Sequence, residues 1–368
     1  MTQQQSLPSI VTLTEIEEIV STDSFALDLI DAIKKGFLSY SNNEFNACPI
    51  QTMGAPPMAP FSGRGSSSSS SSSDDDDGNY QAQTCVKSGY VTGASHYVIK
   101  VASGGHPFPH NSGLMQLYSQ STGKLETILL DEGILTELRT AAVGALAAQL
   151  LAPSVLMTEN NGDARCCVGM LGTGIQARYQ LQYLAHVIKC RNVKVWGRTK
   201  EHVKQYIKDM TAEGWNVSSV DTPQDLLTSC SLIVTTTSSR EPLLKYTAAD
   251  ADNSIKHPLH ITCIGSDATG KMELDPKLAA TADLLVADCS LQTAERGEFE
   301  DALKQQLVEL DSVVELGKFI EREELHRKRD GKDDDCRLTI FDSSGVAVQD
   351  CVIAAMVNEA LVQREVPM

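Results

Sequence analysis

The fold of this chain is decided by the segment Cys166-Cys167-Val168-Gly169-Met170-Leu171-Gly172-Thr173-Gly174-Ile175-Gln176-Ala177. It is typical of a short buried strand, a glycine turn and the start of a helix, in the G-x-G-x-x-A pattern of a dinucleotide-binding turn. Gly172 would permit the tight turn, Gly174 would let backbone approach a pyrophosphate, and Ala177 would let the helix pack closely. The helix N-terminus would offer N–H groups to the phosphates. A close-packed strand–helix corner without a nucleotide is the competing interpretation.

The predicted cofactor-binding residues extend from this turn to neighbouring strand ends. They are Gly172, Thr173, Gly174, Ile175, Gln176, Arg198, Thr199, Thr236 and Ser344. An acidic residue at the end of the next strand would bind the ribose 2′-hydroxyl of NAD, but the strand ends in Arg198-Thr199-Lys200. A cation and donors there favour a 2′-phosphate, so we expect NADP(H), with NAD(H) as the alternative. Arg198 as a solvated surface charge is the competing interpretation.

Strand and helix patterns alternate after the turn. The predicted strands are 166–171, 193–197, 231–237, 259–265, 283–288 and 338–342, and the helices between the early ones are 175–188, 200–213 and 223–229. This alternation predicts an α/β fold with a Rossmann-type, doubly wound parallel sheet that has helices on both faces.

The block before the turn has a different pattern. Its alternating segments predict an antiparallel meander with strands 83–87, 97–101, 113–118 and 126–130. An alanine-rich helix, 137–151, would lead into the nucleotide domain, and a last helix, 346–363, would return to the N-terminal part. We therefore predict an α+β substrate-binding and dimerisation domain from 1–139 and 343–368, and a Rossmann domain from 140–342.

Composition restricts the partners and the location of the protein. The formal net charge of −17 disfavours nucleic acids and anionic membranes, because both need a basic surface. We find no secretory pattern at the N-terminus and no apolar stretch of about 18 residues, so we expect a cytoplasmic protein without a membrane partner. The ten cysteines include no C-x-x-C pair and are expected to be mostly reduced and structural. The tract 62–78, rich in Ser and Asp, is predicted to be a disordered insertion.

Charged residues outside the turn are candidates for chemistry. Lys87 and Lys100 fall at matching points of neighbouring predicted strands, and a strand face that buries lysine usually does so for function. Arg139 begins the alanine-rich helix, where it would grip a carboxylate together with the helix N-terminus; a surface charge is the alternative. Asp267 follows a predicted parallel strand at the ligand-binding end of the sheet. It is either an acid–base group or a turn residue.

Two other patterns do not support a site. The segment 265–272 is one residue short of a phosphate loop and has Met272 where the loop needs a hydroxyl for Mg²⁺, so we predict no NTPase. His106 and His110 have no third ligand nearby in the sequence, so we predict no metal site.

Taken together, these segments resemble the ornithine cyclodeaminase/μ-crystallin family over nearly the whole chain outside the Ser/Asp tract. The segments that carry the resemblance are 98–104, 135–142 (L-T-x-x-R-T-A-A), 172–177, 265–275 (G-x-D-x-x-G-K-x-E-L) and 341–347. The resemblance implies a homodimer whose N-terminal domain, completed by the C-terminal helix, supplies the dimer interface and the substrate pocket. It also implies that Lys100 and Arg139 bind or polarise the substrate and that Asp267 is the acid–base carboxylate. Members of the family transfer hydride to or from the Cα of an amino or imino acid.

Two departures from the family pattern bear on the substrate. Many members have a carboxylate-binding arginine in a P-x-R element. This chain has Gln51 there, so the side chain at that position is neutral. The cyclodeaminase places a glutamate, suited to the distal ammonium of ornithine, where this chain has Lys87. Like charges about 4 Å apart at an effective dielectric near 20 repel by roughly 4 kcal/mol, so Lys87 would repel that ammonium and attract a second carboxylate. The segment 87–90 (K-S-G-Y) looks more like the iminosuccinate reductase branch.

The resemblance therefore implies an NAD(P)H-dependent reductase of a small α-imino acid, such as iminosuccinate or a cyclic ketimine. The predicted catalytic residues are Asp267 and Lys100, and the predicted substrate-binding residues are Arg139, Lys87 and Gln51. Ornithine cyclodeaminase with bound NAD⁺ is one alternative, and a non-catalytic NADP-binding protein is another.

Overall fold

The structure is a computed structural model, and it describes residues 7–54, 83–104, 111–158, 166–246, 258–327 and 338–365. The predicted insertion 62–78 lies outside these residues, as do His106 and His110.

The described residues of the N-terminal part form a seven-stranded mixed sheet with helices packed on it. Its elements are β1 (Ser9–Val11), α1 (Leu13–Val20), α2 (Asp23–Ser41), β2 (Phe45–Ala47), β3 (Gln51–Gly54), β4 (Gln83–Val91), β5 (His96–Gly104), β6 (Asn111–Ser119), β7 (Leu125–Leu129) and α3 (Ile134–Leu151). The predicted meander is present as β4 to β7, each antiparallel to the next. The sheet order is β1-β7-β6-β5-β4-β2, with β3 also paired to β4.

The second sheet has eight described strands. The elements of this part are β8 (Val168–Leu171), α4 (Ile175–Val187), β9 (Asn192–Trp196), α5 (Lys200–Ala212), β10 (Asn216–Ser219), α6 (Gln224–Ser229), β11 (Leu232–Thr235), β12 (Leu259–Cys263), α7 (Pro276–Ala280), β13 (Leu284–Ala287), α8 (Ser290–Arg296), α9 (Glu300–Lys304), β14 (Val313–Glu315), α10 (Leu316–Arg327), β15 (Leu338–Asp342) and α11 (Ala347–Glu365). Their order is β10-β9-β8-β11-β12-β15-β13-β14, and all the described pairs are parallel. Residues of β8 pack in two different apolar clusters. Val168 and Met170 lie in one cluster, and Leu171 lies in the other. The predicted Rossmann-type sheet is confirmed.

The strand order reverses at β8. β9 and β10 lie on one side of it, and β11 and β12 lie on the other. The carboxyl ends of β8 and β11 therefore border a topological switch point, which is where ligands bind in open α/β sheets. The turn after β8 and the loop after β11 meet at this point.

The last helix returns to the N-terminal sheet. α11 follows β15 after four residues, and it packs on α2, α3, β4 and β5. Gly36 in α2 allows the close crossing, because an added Cβ would lie 2.9 Å from Val352 Cγ2. Ile353 and Val357 are fully buried in the apolar core of the N-terminal part. The predicted return of this helix is confirmed, while the domain boundaries stay a prediction.

α3 has a property that the sequence analysis missed. Over 18 residues its mean hydropathy is 1.3, so by length and composition it would suit a membrane span. The expectation that no stretch attains this length was therefore wrong. The helix is 67% buried inside the protein, where it packs against α2, α4 and α11. It is apolar on nearly all sides because helices surround it.

Candidate active site

The glycine turn lies at the switch point with a geometry that suits a dinucleotide. Gly172 has a φ of +117°, which favours glycine, and an added Cβ would lie 2.5 Å from Thr236 Oγ1. Within the described part of the chain, no atom outside its immediate neighbours comes within 4 Å of the Cβ position of Gly174. α4 starts at Ile175, and no described side chain caps its N-terminus. The open space and the N–H groups together fit a bound pyrophosphate.

Residues at the adjacent strand ends complete this part of the site. The backbone N and the Oγ1 of Thr236 donate to Leu171 O at 2.8 and 3.2 Å, so the loop after β11 is held against the turn. At the end of β9, Arg198 is exposed and Thr199 is the N-cap of α5 without a side-chain hydrogen bond. The residues present therefore fit a nicotinamide dinucleotide.

Two of the predicted cofactor residues use their side chains elsewhere. Gln176 Nε2 donates to Glu137 O at 3.0 Å, which ties α4 to α3. Ser344 is fully buried, and its Oγ donates to Asp288 Oδ1 at 2.8 Å. In this structure both side chains are therefore bonded within the protein.

Three buried cations meet between the two sheets. Lys87 and Lys100 are direct cross-strand partners in β4 and β5, and they are 8% and 3% exposed. Arg139, in the second turn of α3, is 5% exposed. Lys100 Nζ and Arg139 Nε donate to the same atom, Asp350 Oδ1, at 2.8 and 3.1 Å. The fold thus gathers three of the predicted site residues around one carboxylate of α11, and these four side chains are called the cation cluster below.

The segment between β15 and α11 closes the cation cluster. Lys87 Nζ donates to Gly345 O at 2.7 Å, and Arg139 Nη1 donates to Gln349 Oε1 at 2.5 Å. Gly345 has a φ of +83°, and an added Cβ would lie 3.1 Å from Arg139 Nη1 and 3.2 Å from Lys87 Nζ. Glycine is therefore required here both by the backbone conformation and by the close approach of two cations.

Burial and mutual repulsion determine the charge of the cluster. Burial, followed by the charges of Lys100 and Arg139, lowers the pKa of Lys87 to about 7. Burial also lowers the pKa of Lys100, although Asp350 opposes this. For Asp350, burial would raise the pKa, but Lys100, Arg139 and Lys87 outweigh it and hold the pKa below its usual value. Lys100 and Arg139 contact Asp350, and Asp267 and Asp288 act on Lys87 electrostatically. An anion bound among the three cationic groups would relieve their repulsion.

Asp267 lies in the loop after β12, at the edge of the cation cluster. Its side chain is 58% exposed, and its Oδ1 accepts from Lys271 Nζ at 2.6 Å. Partial desolvation by the surrounding protein would raise its pKa, but the charges of Lys271, Lys87 and Arg296 outweigh this and lower it. Arg296 Nε also donates to Asp267 O at 3.1 Å. Asp267 is therefore ionised at neutral pH and within electrostatic reach of Lys87.

Gln51 does not join these residues. The register of β3 and β4 pairs Gln51 with Val86, so its side chain lies on the face of β4 opposite to Lys87. It is also exposed. Its role in substrate binding stays a prediction that the geometry does not support.

Comparison with known proteins identifies the family. The family model described as the ornithine cyclodeaminase/mu-crystallin family matches residues 74–365 of the sequence. The chain belongs to this family. The family resemblance seen in the sequence motifs is thereby confirmed.

Three similar proteins illustrate the range of the family. The iminosuccinate reductase of Paracoccus denitrificans is 30% identical over 274 residues, which cover 72% of this chain and 78% of the relative. Its solved structure in complex with NAD⁺ covers 97% of both chains with a TM-score of 0.76 and 25% identity. A protein named uncharacterized cyclodeaminase from Sinorhizobium fredii is 33% identical over 286 residues, 76% of this chain and 80% of the relative. An archaeal alanine dehydrogenase dimer with bound NAD has the same fold, with a TM-score of 0.76, 24% identity and 98% of both chains covered.

Two residues of this candidate site were not predicted from the sequence. Asp350 is 1% exposed in the first turn of α11, and Arg296 ends α8. A signal for Asp350 existed, because two lysines predicted to be buried need a carboxylate nearby and α11 was predicted to return to that sheet. Arg296 left no comparable signal, since its position depends on where α8 lies.

Proposed function

We propose that this protein is an NAD(P)H-dependent reductase of a small α-imino acid that carries a second carboxylate. The cation cluster is the observation that carries the proposal, because Lys100 and Arg139 share one carboxylate, Asp350, while the buried Lys87 beside them contacts a backbone carbonyl instead. A substrate with two carboxylates would bring the buried charge close to balance. By its name, the Paracoccus relative acts on such a compound, so iminosuccinate giving aspartate is the preferred reaction. A cyclic ketimine is the other substrate implied by the family.

The choice of cofactor and the oligomeric state are also part of the proposal. The exposed Arg198 and the half-buried Thr199 after β9 support NADP(H). The NAD⁺ in the solved Paracoccus enzyme keeps NAD(H) as the alternative. When bound, the nicotinamide would supply the hydride for the imine carbon. The family resemblance and the archaeal dimer support a homodimer.

Each charged residue has a distinct part in the proposed reaction. Arg139 would hold the α-carboxylate, Lys87 would meet the distal carboxylate, and Lys100 would polarise the reacting centre. The lowered pKa of Asp267 keeps it a carboxylate, which suits orientation of a protonated imine nitrogen. Addition of hydride to the carbon of that protonated imine gives a neutral amine, which then takes its proton from water.

An ornithine cyclodeaminase is the second candidate, favoured by the name of the Sinorhizobium relative. Against it stands Lys87, which would face the distal ammonium of ornithine with a like charge in a buried site. A non-catalytic NADP-binding protein is the third candidate. The presence of Lys100, Arg139 and Asp267 favours an enzyme over this candidate.

A substrate panel distinguishes the three candidates. The protein is incubated with oxaloacetate, ammonia and NADPH or NADH, and separately with ornithine and NAD⁺, while nicotinamide absorbance and ammonia are followed. Oxidation of the reduced nucleotide only with the keto acid and ammonia is the expected result. Release of ammonia and formation of proline from ornithine would overturn the proposal. Thermal stabilisation by the nucleotide without turnover of any substrate would instead leave a binding protein.

A further inference from the structure

We propose that Glu273 is a positioning residue that fixes the Asp267 loop against the strand end bordering the nucleotide turn. Glu273 is the glutamate of the G-x-D-x-x-G-K-x-E-L segment, which also contains Asp267. The inference rests on the proposed function only through the catalytic part given to Asp267.

Glu273 joins two loops with a single carboxylate. It is fully buried, and its Oε2 accepts from Thr235 Oγ1 at 2.5 Å and from Gly265 N at 2.9 Å. Its Oε1 accepts from Thr237 N at 2.6 Å. Thr235 and Thr237 flank Thr236, which contacts the nucleotide turn. Gly265 lies at the start of the loop that contains Asp267. One side chain therefore determines how the two loops lie relative to each other.

The two loops are packed so closely at this point that the carboxylate has little freedom. An added Cβ on Gly265 would lie 2.1 Å from Thr237 O and 2.5 Å from Glu273 Oε2. The glutamate itself is also held, since Glu298 Oε1 accepts from Glu273 N at 2.9 Å and from Leu274 N at 2.6 Å. A displacement of the Glu273 carboxylate would therefore move the Gly265 backbone and the loop that follows.

Burying a carboxylate is costly, so its presence here calls for a reason. Three donors converge on it from two strand ends, and an ionised carboxylate accepts all three. Burial raises the pKa of Glu273 to about 7, against the lowering effect of these hydrogen bonds. A glutamine has the same shape but only one acceptor oxygen, so its amide group would face an N–H or O–H donor and break at least one of the links.

The test compares Glu273→Gln in the wild-type and Asp267→Asn backgrounds and measures amide hydrogen exchange and turnover. We expect faster exchange at Gly265 and Thr237 in the cofactor-free protein. We also expect kcat to fall about 10- to 100-fold, as for a misplacement of a catalytic group by about 1 Å. In the Asp267→Asn background the further fall in kcat should be less than about twofold, because a group that acts only through Asp267 has nothing left to position.

Two further variants guard against a mere failure to fold. Thr235→Val removes one donor to Glu273 and should reproduce the faster exchange and part of the fall in kcat. Thr235→Ser keeps the hydroxyl, so its exchange rate and kcat should stay close to those of the wild type. Glu295→Gln, an exposed carboxylate of α8, is the matched control and should match the wild type.

Three results bear on the proposal in different ways. Unchanged exchange at Gly265 in Glu273→Gln would overturn it, even if kcat falls. An undiminished fall in kcat in the Asp267→Asn background would overturn it as well. If the exchange results hold but the wild-type protein reduces none of the imino acids, the proposed function fails while the positioning of the loop by Glu273 stands.

Discussion

At the scale of single residues, Lys87 determines how this protein would choose its substrate. It is buried beside Lys100, and its ammonium touches the backbone of Gly345 rather than a carboxylate. A buried lysine without a carboxylate contact is costly, so a site of this kind is adapted to a ligand that brings one. This interpretation predicts both selectivity and pH dependence.

Lys87→Met should weaken the selectivity for dicarboxylates. A charge-assisted hydrogen bond is worth about 1.5–3 kcal/mol, so we expect KM for the dicarboxylic substrate to rise about 10- to 100-fold. KM for a monocarboxylic keto acid with ammonia should change little. Lys124→Met, in an exposed turn, is the control for loss of a lysine. An unchanged ratio of the two KM values would refute the role given to Lys87.

The pKa of Lys87 predicts how binding responds to pH. Because this pKa is lowered to about 7, free Lys87 loses its proton as pH rises above about 7, and KM for a dicarboxylate should then rise. The charged groups that act on it include Lys100, Arg139, Asp350 and Arg296, from β5, α3, α11 and the end of α8. Asp267 and Asp288 also interact with it electrostatically. The rise should approach tenfold per pH unit at most, and Lys87→Met should abolish it. A KM that is flat between pH 6.5 and 8.5 in the wild type would contradict the prediction.

At the scale of elements, the crossing of α2 and α11 places the cation cluster. α11 carries Asp350, and it approaches α2 closely only because Gly36 has no side chain. Neither helix contains a residue of the nucleotide turn, yet their packing determines where Lys100 and Arg139 find their shared acceptor.

Gly36→Leu should therefore lower both stability and substrate affinity. Its side chain would meet Val352 and Val348, and overpacking of this kind costs about 1–3 kcal/mol. Because α11 must shift, we expect KM for the substrate to rise while the affinity for the nucleotide is retained. Lys35→Leu, on the exposed face of the same helix, should leave the denaturation midpoint near that of the wild type. Equal loss of nucleotide and substrate binding would point to general unfolding instead.

At the scale of the whole molecule, buried carboxylates cluster beneath the carboxyl ends of the parallel strands. Burial, with the charge of Asp288, raises the pKa of Asp342 to about 8, and burial raises the pKa of Glu273 to about 7. Burial likewise raises the pKa values of Asp288 and Glu298. This edge of the sheet therefore binds protons more tightly in the folded protein than in the unfolded chain.

The consequence is that the contribution of these carboxylates to stability should fall as pH rises through the neutral range. For Asp342, the folded protein holds more protons than the unfolded chain between about pH 4 and pH 8, so its contribution to stability decreases over that window. Asp342→Asn removes this pH-dependent contribution. The thermal midpoint of the variant, relative to that of the wild type, should therefore increase from pH 5 to pH 8. Asp311→Asn, an exposed control, should give a curve parallel to the wild type. Parallel curves for Asp342→Asn and the wild type would show that Asp342 does not titrate in this way.

Features with a local period or a local motif could be predicted from neighbouring residues. The meander, the Rossmann-type sheet and the return of α11 were predictable, because alternation and helical spacing are written in neighbouring residues. Strands as short as β10 and β14 were missed, since three or four residues show no period. Lys87 and Lys100 were recognisable because lysine on a buried strand face is uncommon, whereas the role of Arg139 was implied by the family resemblance.

The partners of these residues depend on contacts between distant segments of the chain. Lys87 meets Gly345 across 258 positions of the chain, and Lys100 meets Asp350 across 250. Glu273 likewise connects strand ends whose proximity depends on the order of the strands in the sheet. Local patterns cannot encode such contacts, because burial and charge depend on which distant segments the packing brings together.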